Sequence, residues 1–90
     1  MTTPISAVKG IGPKSTVWLR AVGIMTLDDL EVSGAVDAYI RIKEAFPKQV
    51  TLNALWGLQS VLTGIPWDRL PEDMKADLKR QVEEEQAGRP

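Results

Sequence analysis

The chain has 90 residues, 43% of them hydrophobic and 26% charged, and a formal net charge of −1, values that describe one soluble globular domain and exclude a second. It contains no cysteine and no histidine, which removes disulfides, thiolate chemistry, Cys/His metal sites and imidazole acid-base catalysis together. No apolar run approaches the roughly 20 residues of a membrane helix, and no basic segment followed by an apolar one opens the chain, so a cytoplasmic protein with no membrane contact is expected.

Glycine and proline punctuate the chain at Gly10, Gly12, Gly23, Gly34, Pro47, Gly64, Pro66 and Pro71, each between segments of helical periodicity. The reading is a compact all-α bundle of five to six short helices without strands. Thr2 or Thr3 before Pro4 starts a first short helix that ends at Lys9-Gly10. The second runs from about Pro13 to Val22, with Val17, Trp18, Ala21 and Val22 on one face, Trp18 as a core anchor and Gly23 as a left-handed stop. Thr26 caps a third, with Asp28 and Asp29 at its positive end, and Gly34 closes it after two turns.

A fourth helix occupies Ala35 to about Phe46, with stripes of Val36, Tyr39 and Ile40 and of Ala38, Ile42 and Ala45. Thr51 caps a fifth, whose Leu52, Leu55, Trp56, Leu58, Val61 and Leu62 surround nearly the whole circumference and place it at the centre of the core. Asn53, on that apolar helix, is expected to hydrogen-bond to a neighbouring loop. The sixth starts at Pro71 and carries a thin surface stripe of Met74, Leu78 and Val82. Residues 1–82 form the single domain, and 83–90, EEEQAGRP, read as a frayed or disordered tail.

The charge is distributed unevenly. Lys9, Lys14 and Arg20 precede the first acid, Asp28, whereas residues 71–90 hold six acids against four bases. A partner rich in phosphate would therefore meet the chain near residues 8 to 16, VKGIGPKST. The first amides of a helix are unpaired and carry about half a positive charge, and glycines admit a phosphate close to the backbone. The same glycines equally serve a tight interhelical turn that binds nothing, because a left-handed backbone alone demands glycine.

Other side chains have plainer readings. Arg20 is a surface residue. Asp28 and Asp29, adjacent on a helix, point in different directions and act as helix-start charges, not as a metal or acid-base pair. Trp18, Trp56 and Trp67 are core residues before they are stacking surfaces for unpaired bases. No carboxylate constellation suggests a hydrolase, so no catalytic residue, metal or cofactor is assigned.

The stretch GIGPKSTVWLRAVGIMTLDDL resembles a helix-hairpin-helix motif. From about Ile5 to Leu78 the chain is similar to the C-terminal domain of the TfoX/Sxy family, named for bacterial regulators of natural transformation. The residues that carry the likeness are Gly12-Pro13-Lys14-Ser15, Trp18-Leu19, Val22-Gly23-Ile24, Thr26-Leu27-Asp28-Asp29-Leu30, Gly34-Ala35-Val36, Leu52-Asn53-Ala54-Leu55, Leu58, Gly64 and Trp67. The chain departs from the pattern at Trp56-Gly57, where Tyr-Ala is expected, and near Pro66, where a histidine is. Full-length regulators of the family carry an additional α/β domain ahead of this unit.

The resemblance implies a small regulatory or DNA-associated protein, not an enzyme, whose Lys9, Gly10, Ile11, Gly12, Lys14 and Ser15 contact double-stranded DNA phosphates without reading bases. Thr63-Gly64-Ile65-Pro66 vaguely echoes the hairpin but is a structural pseudo-repeat. The alternative is a protein-interaction module in which the hairpin or the Met74, Leu78, Val82 face docks a partner or a second copy of the chain, with no nucleic acid bound.

Overall fold

The computed structural model describes residues 3–88. Among them are four α-helices, α1 (Pro13–Ala21), α2 (Leu27–Ala45), α3 (Leu52–Thr63) and α4 (Glu72–Ala87), and 3-10 turns at Ile5–Ala7 and Trp67–Arg69. The all-helical reading stands, with four helices in place of five or six and no strand among the described residues.

The missing first helix has a local cause. Pro4 is extended (φ −62°, ψ 146°) and pairs antiparallel with Thr26. Ile5 N–H donates to Met25 O at 2.9 Å and Leu27 N–H to Thr3 O at 2.8 Å, so the backbone from Thr3 to Ile5 is committed to a bridge with a later part of the chain, and only the 3-10 turn Ile5–Ala7 follows. Thr2, the other candidate for a helix start, lies outside the described residues.

In α1, Pro13 sits in the first turn, where a missing N–H costs nothing, and Gly23 (φ 88°) reverses the chain after the last turn. The buried side chain of α1 is Leu19; Trp18 is half-buried against the core, Ala21 is exposed, and Val17 keeps 62% of its surface in water. The buried face is thus rotated toward Leu19, which joins Ile24 and Leu30 in the same core cluster.

The start of α2 is the best-satisfied helix end in the chain. Thr26 Oγ1 accepts from Asp29 N–H at 3.1 Å while Asp29 Oδ2 accepts from the N–H groups of Thr26 (3.2 Å) and Met25 (3.0 Å), a reciprocal capping box. Asp29 therefore serves the helix start, as its position near the positive end suggests. Gly34 closes the first run of α2 as expected: its angles are non-helical (φ 80°, ψ 162°), and a second run that differs in direction begins at Ala35, so α2 is two helices joined across a kink. The second run buries Ala35, Ala38, Tyr39, Ile40 and Ile42, and leaves Ala45 exposed. Burial raises the Tyr39 phenol above its ordinary pKa.

Lys43 closes α2 from its side chain: Nζ donates to Pro47 O at 2.8 Å and Val50 O at 2.7 Å, which holds the following loop and seats Val50 in the core. Thr51 occupies the cap position of α3 but makes no side-chain cap bond. Leu55 and Leu58 are buried, Trp56, Val61 and Leu62 pack against the core, and Leu52 is partly exposed at the helix start.

Helix α4 lies on the surface, but its apolar stripe is taken. Leu78 and Val82 are buried and Met74 packs beside them, with Gln59 Nε2 donating to Met74 Sδ at 3.6 Å and Lys75 Nζ 5.6 Å from the Trp56 ring centroid. The Met74, Leu78, Val82 face is therefore no free docking surface; its partners are the chain's own core. Nor does the helix fray at Glu83: it continues to Ala87, with Arg80 bonded to both Asp77 and Glu84 and Gln81 to Asp77. Those bonds, from Arg80 first, hold the Asp77 carboxyl below its ordinary pKa. The last two residues of the expected tail, Arg89 and Pro90, lie outside the described residues.

Gly34 allows packing and strain to be told apart. A Cβ there would meet nothing within 4 Å, yet φ 80° with ψ 162° is open almost exclusively to glycine. Gly34→Ala is expected to lower the unfolding free energy by about 1–3 kcal/mol in urea titrations. A variant as stable as the wild type would show that α2 runs straight through this position.

Candidate functional site

The site grows out of the chain reversal between the first 3-10 turn and α1. Val8 is extended (φ −77°, ψ 124°), Gly10 adopts φ 99°, and Gly12 returns to extended backbone (φ −81°, ψ 173°) as the residue that caps α1. The hairpin therefore joins one 3-10 turn to one α-helix. Gly10 also lies close to α3, since a Cβ there would stand 3.3 Å from Val61 Cγ2. Packing against α3 and a left-handed backbone demand glycine at the same place.

The donors at this turn divide into used and unused. Ile11 N–H donates to Val8 O at 3.2 Å, and the Ile11 side chain packs against the core. Ile11 therefore supports the turn from inside and offers no amide outward, a correction to its place among the expected phosphate contacts. Thr16 N–H (2.9 Å) and Thr16 Oγ1 (3.0 Å) both donate to Gly12 O. The N–H groups of Gly12, Lys14 and Ser15 have no acceptor among the described residues, and no side chain caps α1. Pro13 has no N–H to give.

Lys9, three residues before Gly12, and Lys14, within the first turn of α1, are exposed, and Ser15 is half-buried. Arg20 sits in the last turn of α1, roughly 9 Å along the axis from Lys14, and belongs to the other end of the helix. The later Thr63-Gly64-Ile65-Pro66 turn offers nothing comparable. Gly64 N–H donates to Ser60 O at 2.8 Å and Ile65 N–H to Thr63 Oγ1 at 3.3 Å, so its donors are consumed.

The hairpin forms one wall of an open cleft of about 330 Å³. Gly10, Ile11 and Ser15 line it on one side, and Asn53, Ala54, Gly57 and Leu58 of α3 on another, with Trp67 at its edge. Asn53 is exposed toward this space, and no loop residue holds it. Trp67 is 63% exposed, which overturns its assignment to the core; Trp18 and Trp56 are half-buried and remain packed on it. The cleft was invisible to helical periodicity because α3 lines it with Asn53, Ala54, Gly57 and Leu58, a mixture of polar, small and apolar residues that forms no stripe of its own. A tryptophan between Pro66 and Pro71 was the available signal.

A larger hollow of about 540 Å³ near the end of α4 is bordered by Gln81, Glu84, Glu85 and Gly88, a lining that repels anions. Among the described residues, no three acidic side chains come together to hold a metal ion, and no helix is long and apolar enough to cross a membrane.

Comparison with known families adds one positive finding: the family described as TfoX C-terminal domain matches residues 1–82. The match ends at Val82, the last buried residue of α4. No curated protein and no solved structure matches the chain.

The two glycines of the hairpin should respond differently to a methyl group. Gly10→Ala forces φ 99° on an L residue and crowds Val61, and should destabilise by about 1–3 kcal/mol. Gly12→Ala, with ordinary angles and nothing within 4 Å of the new Cβ, should stay within about 0.5 kcal/mol. Thermal unfolding of both variants measures the contrast, and equal losses would refute this account of the turn.

Proposed function

Because the chain belongs to the TfoX C-terminal domain family, we propose that it is a regulatory, DNA-associated domain that holds duplex phosphates through the α1 N-terminus. Membership suggests a setting in the regulation of natural transformation. The observation that carries the DNA reading is the set of unpaired Gly12, Lys14 and Ser15 amides at an uncapped helix start whose neighbouring lysines, Lys9 and Lys14, are exposed. An anion at that point meets the positive end of α1, and glycines at 10 and 12 keep side chains out of its path.

The contacts available are few. Lys9, Lys14 and the amides can engage two or three phosphates and no base edge, so binding is weak and indifferent to sequence, with Kd on the order of 10⁻⁴ to 10⁻⁶ M. Net charge of −1 adds no long-range attraction, and the local excess of base before Asp28 has to supply the steering. Dimerisation that joins two such sites on one duplex would raise the affinity without any new contact to DNA.

A protein-docking reading has separate support in Val32, a β-branched side chain 90% exposed on α2, and in Val17 and Met25, which are also exposed. These residues offer an apolar surface to a partner or a second copy of the chain.

One titration separates the two. In fluorescence anisotropy with a random duplex, log K should fall with log salt at a slope of about −2 to −3, and Lys14→Glu should abolish binding. Absence of binding at low salt would sink the DNA reading and leave the docking module, for which sedimentation of wild type and Val32→Asp measures self-association.

A further inference from the structure

Trp67 is a large aromatic left in water by a fold that finds room for the other two tryptophans. Its backbone is also held. Pro66 (φ −54°) precedes it and Pro71 (φ −59°) follows, Arg69 N–H donates to Pro66 O at 2.9 Å, and Leu70 at the end of the turn is buried. The backbone that carries the indole is thus constrained, and the exposed ring borders the cleft that the hairpin also lines.

A second feature keeps that cleft open. Gly57 lies in the interior of α3, where glycine weakens a helix, and a Cβ there would meet nothing within 4 Å. Neither backbone angles nor packing requires glycine at this position. What its missing side chain does is leave the floor between Asn53, Leu58 and Trp67 unfilled.

We propose that this cleft takes one unpaired nucleotide of single-stranded DNA, with its base stacked on Trp67 and its phosphate at the unpaired amide of Ser15, the residue by which the α1 N-terminus lines the cleft. The inference rests on the phosphate-contact reading of the hairpin and deepens it by naming the strand state. A volume of about 330 Å³ is at the small end of ligand sites and suits a single nucleotide. A base paired inside a duplex cannot lay its face on the indole, whereas an unpaired one can, whatever its identity. Asn53 on the floor supplies both a donor and an acceptor for the edge of a stacked base. Charge fixes the direction: Lys9 and Lys14 stand on the hairpin side, while Asp68, next to Trp67, turns phosphate away from the other.

The test is fluorescence anisotropy at low salt with a labelled oligothymidine and with a random duplex of equal length, using wild type, Trp67→Ala, Trp67→Phe and Lys14→Glu. The wild type should bind the single strand more tightly than the duplex. Trp67→Ala should lose about 10-fold or more on the single strand and stay within about 2-fold on the duplex, Trp67→Phe should keep most of the single-strand affinity, and Lys14→Glu should weaken both. Should Trp67→Ala fail to fold by circular dichroism, iodide quenching of wild-type tryptophan decides, since bound oligothymidine should shield the exposed indole. Duplex binding with no single-strand preference and no effect of Trp67 overturns this inference alone. No binding to either probe overturns the phosphate reading with it.

Discussion

The pairing of Thr3–Ile5 with Met25–Leu27 is the constraint on which the amino-terminal half depends. Two backbone hydrogen bonds tie the start of the chain to the first residues of α2, and one of them satisfies the Leu27 amide at that helix's own N-terminus. Ile5 is thereby buried, and everything between residues 5 and 25 becomes a closed loop. Within that loop the chain must reverse twice, at Gly10 and at Gly23, and both glycines carry positive φ. The amino end of α1 is uncapped because the residue at its cap position, Gly12, has no side chain to offer.

The capping chemistry makes a useful contrast between helices. At α2 every resource is applied, with Thr26, Asp29 and a foreign carbonyl all serving the first turn. At α1 Gly12, Pro13 and Lys14 supply neither a cap nor a counter-charge, although helix starts favour both. Much of the remaining positive charge is occupied elsewhere: Lys43 on two carbonyls, Arg41 on Asp37 at 3.0 Å, Arg80 on Asp77 and Glu84, and Lys75 over Trp56. Lys9 and Lys14 stay in water beside the uncapped turn.

Those parts of the fold that rest on a residue's own backbone preference were legible in the sequence. The Thr26 cap, the stop at Gly23, the start of α1 at Pro13 and the closing of α3 at Gly64 belong to this class. What depended on a distant partner was not. The run Val17-Trp18-Leu19 is apolar all round, so periodicity could not decide that Leu19 faces inward while Val17 faces water. Lys43 reads as a surface charge until the loop after α2 folds back over it. The acidic stretch after Val82 reads as a frayed end because no apolar residue marks it, but Arg80 reaches forward to Glu84 and the helix continues. At the candidate site the glycine at position 10 marked the chain reversal, which its φ of 99° bears out, whereas periodicity missed that Ile11 packs against the core and that Trp67 is exposed.

Gly34 shows that room and tolerance are different properties. Nothing crowds the residue, so a survey of side-chain volumes would mark it as a place for free substitution. The restriction there is one of handedness: φ 80° with ψ 162° is the mirror image of ordinary extended backbone. Every genetically encoded alternative has the wrong chirality for it, whereas D-alanine, introduced by chemical synthesis, would sit in that same bend without strain.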